Sequence, residues 1–304
     1  ITSRMLGGGS GSPMVVRCRL LEGGRRQHHF NFLTNMADPK RKDSIAVIDS
    51  AGSVTYGELD RLSNDLVSAI NSRGLLASSG NNTTIAGFNP SNRHYVVSLL
   101  AAWKCGKAFL PLCPIHPEHE LRYFLEDSKA GLVLSSSHPV PVADITGLSV
   151  PTLAVDSASC TKTSSQPRQP QSEHSTGGEN ALILYTSGTT GKPKGVMHTH
   201  AGVNAMISDL TSAWEYSSSD KILHFLPLHH LHGVLNKLLC TLHVGATVEF
   251  MPSAQAKVLW NRLATESSNL PDPVTMFMAV PTVYAKMLEY HREVMTKGSD
   301  NDKS

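Results

Sequence analysis

The chain of 304 residues carries 27 lysines and arginines against 25 aspartates and glutamates, a formal net charge of +2. So small a charge does not favour binding to nucleic acid or to another polyanion. Hydrophobic residues make up 40% of the chain, which is typical of a globular fold with one large domain or two smaller ones. The longest apolar run, 95–103, is interrupted by Ser98. It is much shorter than the roughly 20 residues of a membrane-spanning helix, so we expect no membrane span.

The first 37 residues predict a leader segment outside the folded domain. Between residues 1 and 29, five arginines are accompanied by a single acidic residue, Glu22, and glycine and serine fill much of the remainder. An arginine-rich segment with few acids is typical of an organelle transit peptide. We therefore predict that residues 1–37 are a transit peptide or another disordered leader. Because the chain begins with Ile1, we also expect it to belong to a longer translation product.

From residue 44 onward, short apolar runs alternate with amphipathic segments whose apolar residues recur at helical spacing. In the first part of the chain, 44–155, the predicted strands are 44–49, 54–56, 84–88, 108–112 and 132–135, and the predicted helices are 56–74, 92–106 and 117–131. In the second part, 181–294, the predicted strands are 181–185, 221–227, 247–251 and 274–280, and the predicted helices are 200–214, 233–245, 254–267 and 281–295. This alternation favours an α/β fold with parallel sheets covered by helices on both faces.

Two polar segments lack this alternation. Residues 156–180 consist largely of Ser, Thr, Gln, Pro and Gly. They predict a flexible linker between two α/β subdomains, 44–155 and 181–294. Residues 295–304 are polar and predict a disordered tail.

The sequence YTSGTTGKPKG, residues 185–195, is the strongest functional signal in the chain. Its glycines let the backbone approach a ligand closely or adopt positive φ. If the loop joins the strand 181–185 to a helix, its backbone N–H groups point toward an anion, and its hydroxyls and lysines add further donors. The residues predicted to bind phosphate are Thr186, Ser187, Gly188, Thr189, Thr190, Gly191, Lys192, Pro193, Lys194 and Gly195.

Two common nucleotide-binding motifs do not fit this loop. A P-loop has four residues between its glycines and then a Lys-Ser/Thr pair. Here two residues separate Gly188 from Gly191, and Pro193 follows the first lysine. The spacing also differs from G-x-G-x-x-G. The remaining alternative is a hairpin loop of small residues that binds no ligand.

The loop resembles the signature of the adenylate-forming superfamily, which includes the acyl-CoA synthetases. GSVTYGELDRLSNDLVSAI, FLPLHHLHGV and MFMAVPTVYAKMLEY resemble further segments of that family, so the similarity covers about residues 44–294. The resemblance implies that the chain is the N-terminal part of the family's large α/β domain. It also implies a ligase that joins a carboxylic acid to coenzyme A through an acyl-adenylate, converting ATP to AMP and pyrophosphate, with Mg²⁺ accompanying the nucleotide.

Within the superfamily, ILHFLPLHHLHGVLNKLLCTLHVGATVEFMP and MFMAVPTVYAKMLEY are similar to the mitochondrial malonyl-CoA synthetases, of the acyl-CoA synthetase family member 3 type. This similarity implies malonate or methylmalonate as the acid, a mitochondrial matrix location and a role in supplying mitochondrial fatty acid synthesis. A medium- or long-chain fatty acyl-CoA ligase is the alternative that shares the loop but differs in the acyl pocket.

The resemblance assigns roles to particular residues. Thr186, Lys192 and Lys194 are the expected catalytic residues, which stabilise charge on the phosphates as pyrophosphate leaves. His230 is expected to line the acyl pocket. His232 and Lys286 are candidates to neutralise the second carboxylate of a dicarboxylic acid, because a buried unpaired carboxylate costs several kcal/mol. The alternatives are a structural contact for His232 and a solvated helix face for Lys286.

We expect no metal site at His229, His230 and His232, because this H-H-x-H segment lacks a third, distant Cys or carboxylate cue. The glycine-rich loop already accounts for the function of this region. The five cysteines, at 18, 105, 113, 160 and 240, contain no C-x-x-C pair and predict free thiols. Cys105, Cys113 and Cys240 lie in apolar segments and are expected to be small core residues.

The resemblance also predicts family segments that this chain does not contain. These are the adenine- and ribose-binding segments, a hinge, and a small C-terminal domain with a catalytic lysine. We therefore expect the 304-residue chain alone to be inactive. It would be either a truncated portion of a malonyl-CoA synthetase or a truncated isoform without ligase activity.

Overall fold

The computed structural model describes residues 3–4, 32–76, 84–136, 147–155, 180–187, 191–264 and 273–301. Within these ranges the strands form two six-stranded sheets. Most neighbouring strands are parallel, and the antiparallel pairs lie at the sheet margins. The predicted α/β fold is confirmed, with the correction that the sheets are mixed and not entirely parallel.

Sheet 1 contains, in spatial order, β1 (Ser3–Arg4), β12 (Met276–Phe277), β10 (Lys221–His224), β11 (Thr247–Phe250), β2 (Ile45–Asp49) and β3 (Gly52–Thr55). The central strands are parallel, whereas β1 and β3 are antiparallel to their neighbours. Sheet 2 contains, in spatial order, β7 (Thr152–Ala154), β6 (Ala130–Ser135), β4 (Thr84–Phe88), β5 (Ala108–Pro111), β8 (Asn180–Thr186) and β9 (Lys194–Thr199). Only β9 is antiparallel to its neighbour in this sheet.

The α-helices are α1 (Phe32–Met36), α2 (Tyr56–Ser72), α3 (Arg93–Lys104), α4 (Glu118–Asp127), α5 (His200–Ala213), α6 (Cys240–Val244), α7 (Ala256–Ala264) and α8 (Pro281–Asn301). A 3₁₀ turn, Pro39–Arg41, follows α1, and a π-helical stretch, His232–Leu239, leads directly into α6. None of the helices in the described ranges combines the length and the apolar character needed to cross a membrane.

Side-chain caps explain why helices α2 and α3 begin where they do. The Thr55 hydroxyl accepts from the backbone N–H of Glu58, and the Glu58 carboxylate accepts from the backbone N–H of Thr55. This reciprocal pair satisfies two helix-terminal N–H groups. The Asn92 side chain accepts from the N–H of His94 at the start of α3. The two helices therefore begin within one residue of the starts predicted from the sequence, 56 and 92.

The molecule is layered, with helices between the sheets and on their outer faces. Helix α3 contacts strands of both sheets. Because successive strand residues face opposite sides, Phe109 of β5 joins the central core while its neighbour Leu110 packs under α4. On the outer face of sheet 1, Leu223 of β10 packs with residues of α7 and α8, including Leu259. The strands at the two sheet centres are therefore covered on both faces.

The structure corrects the boundary of the predicted leader at residues 1–37. Phe32 and Met36 lie one helical turn apart on α1, and both are buried in the central core. The Phe32 ring packs edge-to-face on Trp103 at 5.5 Å. Apolar burial of this kind orders the segment from Phe32 onward. The rest of the predicted leader, apart from β1, lies outside the described residues.

The predicted tail at 295–304 also needs correction, because α8 continues to Asn301. The stretch 295–301 contains no proline, so its polar residues can retain helical dihedrals and internal hydrogen bonds. Nearly all of the predicted linker, 156–180, lies outside the described residues, and its last residue, Asn180, begins β8. Strands from 44–155 and from 181–294 occur in both sheets, so neither sheet corresponds to one predicted subdomain. The subdomain division stays a prediction.

Gly87 in β4 lacks a side chain, which lets the Phe109 ring of β5 pack directly against the β4 backbone. We predict that Gly87→Ala destabilises the fold. A methyl group at Gly87 would overlap the edge of the Phe109 ring, which is fully buried and packs against Tyr95 at 5.3 Å. Overpacking of this kind costs about 1–3 kcal/mol. Equilibrium urea unfolding should show this loss.

The double variant Gly87→Ala/Phe109→Leu is the matched control for that measurement. Because the smaller side chain removes the clash, the double variant should lose less than the sum of the two single changes. A Gly87→Ala chain that unfolds at the unchanged urea midpoint would contradict the packing argument.

Candidate functional site

The predicted phosphate loop connects two antiparallel strands and does not lead directly into a helix. β8 pairs with β9 along its whole length, from Asn180 opposite Thr199 to Thr186 opposite Lys194. The expected strand–loop–helix geometry is therefore wrong, and helix α5 begins only after β9. The anion-binding argument from a helix N-terminus does not apply here, so the predicted phosphate binding would depend on the loop's own side chains and N–H groups.

The described residues of the loop present their polar groups to solvent. Thr186, Ser187, Lys192 and Lys194 are exposed, and Pro193 is half-buried. Gly191 has a φ of 130°, a backbone conformation that favours glycine. Gly188, Thr189 and Thr190, which were also predicted to bind phosphate, lie outside the described residues. Neither lysine forms an ion pair with a residue in the described part of the chain, so both charges are available to an anion.

The base of the loop is fixed to helix α4 by tyrosines. The Tyr123 hydroxyl donates to the Pro193 carbonyl at 3.1 Å, and the Lys192 amine lies 5.4 Å from the centre of the Tyr123 ring. The Tyr185 hydroxyl donates to the Asp127 carboxylate at 2.7 Å. These contacts hold both ends of the hairpin loop against one helix.

Gly195, the last residue of the predicted loop, lies in β9 beside the Tyr185 ring. A side-chain carbon at Gly195 would come within 3.1 Å of that ring. Burial, followed by the bond to Asp127, raises the pKa of Tyr185, so the phenol keeps its proton and continues to donate. Gly195 therefore serves the packing of the hairpin.

Residues 225–232, the histidine-rich loop, follow β10 at the edge of sheet 1 where β10 has its carboxyl end. His230 is exposed, while His229 and His232 are half-buried. The hydroxyl of the buried Tyr95 donates to the Leu228 carbonyl at 3.0 Å, which fixes this loop to the central helix α3. A side chain at Gly233 would overlap the Pro227 carbonyl oxygen, so the loop can close only with glycine there.

A buried polar pair that the sequence pattern did not reveal lies beneath this loop. The Lys237 amine donates to the carbonyls of Leu223 and Met278 at 2.6 and 2.9 Å, and burial lowers its pKa to about 7. The His224 ring donates from Nε2 to the Gly233 carbonyl at 3.0 Å. Burial and the nearby Lys237 charge lower the pKa of His224 to about 3, so this imidazole is neutral. The one sequence signal was a lone lysine inside the apolar run VLNKLLC.

The predicted acyl-pocket residues lie on the loop after β10, at the start of the π-helical stretch and on α8. Lys286 lies on the exposed face of α8. Within the described ranges it forms neither a hydrogen bond nor an ion pair with His230 or His232. Burial lowers the pKa of His232. Of His232 and Lys286, the two candidates to supply a positive charge, His232 is therefore the less suited. The roles of His230, His232 and Lys286 in binding an acid stay predictions.

Side chains from distant parts of the sequence meet at the histidine-rich loop. The His229 ring lies 4.2 Å from that of His230 and 5.0 Å from that of His116, measured between centroids. His116 packs edge-to-face on Phe124 at 5.5 Å, and Phe124 stacks on Tyr185 at 4.2 Å. A continuous row of rings therefore joins the histidine-rich loop to the base of the hairpin loop.

Comparisons with known proteins show the family to which the chain belongs. The family described as AMP-binding enzyme matches residues 35–303. The chain is 39% identical over 261 residues to a mitochondrial malonate–CoA ligase, ACSF3, of Mus musculus, covering 84% of this chain and 44% of the relative. It is 36% identical over 267 residues to the ACSF3 of Homo sapiens, covering 86% and 45%. The chain thus spans less than half the length of these curated relatives.

Solved structures give the same result for the fold. The ATP-bound MatB of Rhodopseudomonas palustris superposes with a TM-score of 0.69 at 25% identity, over 85% of this chain and 50% of MatB. A malonyl-CoA ligase with bound methylmalonyl-CoA and AMP superposes with a TM-score of 0.67 at 26% identity, over 86% and 50%. Because the family match extends over most of the sequence and the fold agrees, the chain belongs to the AMP-binding enzyme family.

Proposed function

We propose that this chain forms the phosphate- and acid-binding part of an ATP-dependent carboxylate–CoA ligase that uses malonate or methylmalonate. The acid's carboxylate attacks the α-phosphorus of ATP and pyrophosphate leaves, giving an acyl-adenylate. The thiol of coenzyme A then attacks the acyl carbon, and AMP leaves with the electron pair of the broken bond. The family and its relatives named as CoA ligases support the proposed reaction class, and relatives whose names specify malonate support the proposed acid.

The observation that carries the proposal is an exposed, cationic hairpin loop with a fixed base. Thr186, Ser187 and the two lysines are exposed and can bind oxygen atoms, whereas Tyr123 and Tyr185 hold the two ends of the loop against α4. Donors held in place before the ligand arrives need little reorganisation as charge develops on the leaving pyrophosphate. Mg²⁺ would enter with the nucleotide and neutralise phosphate charge, while Lys192 and Lys194 would orient the β- and γ-phosphates.

The acid would bind near the histidine-rich loop, at the edge that the row of rings connects to the hairpin loop. His230 is exposed there and can contact an acyl group. The exposure of Lys286 leaves it free to approach the second carboxylate of a dicarboxylic acid. A mitochondrial location, in the matrix, is proposed from relatives that are named as mitochondrial.

We predict that removing the loop lysines abolishes polyphosphate binding. Each hydrogen bond to a charged group contributes about 1.5–3 kcal/mol, so Lys192→Ala and Lys194→Ala should each weaken binding of Mg²⁺–pyrophosphate roughly 10- to 100-fold. Isothermal titration calorimetry on the 304-residue chain measures this affinity directly. Lys257→Ala is the matched control, because this lysine is exposed on α7 beyond the far face of sheet 1. Unchanged binding in the double variant Lys192→Ala/Lys194→Ala would contradict the assigned phosphate site.

We predict that Lys286 distinguishes a dicarboxylic acid from a fatty acid. In the complete ligase, Lys286→Leu should lower kcat/KM for malonate by roughly 100-fold or more, because the second carboxylate loses its counter-charge. The same change should have little effect on kcat/KM for octanoate. Lys286→Arg keeps the charge and should retain most of the malonate activity. Equal losses for both acids would exclude Lys286 from substrate selection and would favour the fatty acyl-CoA ligase.

A further inference from the structure

Three side chains with metal-ligating atoms meet where the ends of β5 and β10 come together. Cys113 and His116 lie in the loop between β5 and α4, at the spacing C-x-x-H. His229 lies in the histidine-rich loop after β10, on the other sheet. The ligand atoms of these residues all lie within 4.8 Å of one another. No metal was expected at the clustered histidines because their segment lacks a cue to a distant cysteine or carboxylate ligand. The fold brings Cys113 and His116 to His229.

The spacing of the three atoms is close to what one ion requires. Zn–S bonds of about 2.3 Å and Zn–N bonds of about 2.0–2.1 Å place the ligand atoms of a tetrahedral ion about 3.4–3.6 Å apart. Side-chain movements of about an ångström would therefore be enough for all three atoms to share one ion. Cys113 is buried and the two histidines are half-buried, so the cluster is sheltered while still open to an entering ion.

An unpaired ring nitrogen is a second, independent observation. The Nδ1 atom of His116 is buried and has no hydrogen-bond partner in the described part of the chain. Buried polar atoms without a partner are rare in folded proteins, and those that occur often bind an ion or a water molecule. The His116 ring already packs against Phe124 and His229, so its orientation is fixed by carbon contacts while its nitrogen stays unsatisfied.

A backbone turn sets the positions of the first two ligands. The N–H of His116 donates to the Cys113 carbonyl at 3.0 Å, which closes the C-x-x-H turn. The backbone itself therefore keeps Cys113 and His116 close together.

We propose that Cys113, His116 and His229 bind one divalent transition-metal ion of the Zn²⁺ class. One thiolate and two imidazoles are a ligand set that Zn²⁺ favours, and three protein ligands leave a fourth position for water. The ion would join the β5–α4 loop of sheet 2 to the histidine-rich loop of sheet 1. The proposal is independent of the ligase activity, because it depends only on the described geometry of the three side chains.

Cobalt titration of the 304-residue chain tests the site without any nucleotide. The chain is purified with a reductant, stripped with a chelator and titrated with Co²⁺. We expect one equivalent to bind, with thiolate-to-cobalt charge-transfer absorption in the near ultraviolet, and we expect Zn²⁺ to displace it. Cys113→Ser should remove this absorption, and His116→Ala and His229→Ala should each weaken binding at least 10-fold.

Two matched controls accompany these variants. Cys105→Ser removes a half-buried thiol outside the cluster, and His119→Ala removes an exposed imidazole three residues from His116. Both variants should bind Co²⁺ as the unchanged chain does. An absorption band that persists in Cys113→Ser, or the absence of stoichiometric binding by the unchanged chain, would overturn the proposal.

A second measurement keeps the proposal testable if a variant fails to fold. In the unchanged chain, Zn²⁺ should slow alkylation of Cys113 by iodoacetamide, as mapped by peptide mass spectrometry, and should leave the rate at Cys105 unaltered. The urea midpoint of the unchanged chain should also rise on addition of Zn²⁺, since a ligand that binds only the native state stabilises it. Equal alkylation of Cys113 with and without Zn²⁺ would contradict metal binding, whatever the outcome for pyrophosphate.

Discussion

The hydrogen bond from Tyr95 to the carbonyl of Leu228 is the contact on which the arrangement of the candidate site depends. Tyr95 lies on α3, the helix between the two sheets, and its hydroxyl reaches the loop that follows β10. Its ring packs against Phe109 of β5 on the opposite sheet. One buried side chain therefore fixes the distance between the edges of the two sheets. Losing this buried hydrogen bond would cost a net of about 0.5–1.5 kcal/mol.

This constraint explains why the chemically active groups gather at one edge. Ligands of α/β proteins usually bind outside the carboxyl ends of parallel strands, because the loops there carry polar groups away from the core. Here β5, β8 and β10 all end at this edge and lead into the three loops that carry the candidate ligand-binding groups. The buried pair Lys237 and His224 supports the third loop from below through carbonyl contacts. Lys237 and His224, which bond to backbone carbonyls, thus lie beneath the histidines that face solvent or are half-buried in the loop above.

Local patterns in the sequence were sufficient to predict most helices and strands, and insufficient to predict how they pair. The apolar run 181–185 and the helix after His200 were predicted correctly, yet β9 between them was missed. Its residues, KGVMHT, are mostly exposed and do not alternate strongly, because β9 is an edge strand with little of its surface in the core. The pairing of β11 with β2 joins residues about two hundred positions apart, which no local pattern encodes. The burial of Phe32 was missed for the same reason, since its partner Trp103 lies on α3.

The candidate site shows the same division between local and distant information. The loop 185–195 could be identified from its local sequence alone, because its glycines, hydroxyl groups and lysines are themselves the candidate binding groups. The residues that hold the loop could not, because Tyr123 and Asp127 reach it from another element. The same applies to Cys113 and His116, whose partner His229 is more than a hundred residues away.

The row of rings from His229 through His116 and Phe124 to Tyr185 connects the histidine-rich loop to the base of the hairpin loop by direct packing contacts. Each ring contacts the next at a distance typical of stacked or edge-to-face pairs, so each ring limits the orientations open to its neighbour. Tyr185 is the residue immediately before Thr186, and it also bonds to Asp127. Contacts that fix His116 and His229 therefore also restrain the base of the predicted phosphate loop. Anion binding by the exposed donors, as proposed, would lose less conformational entropy, because the residues at the base of the loop are already ordered.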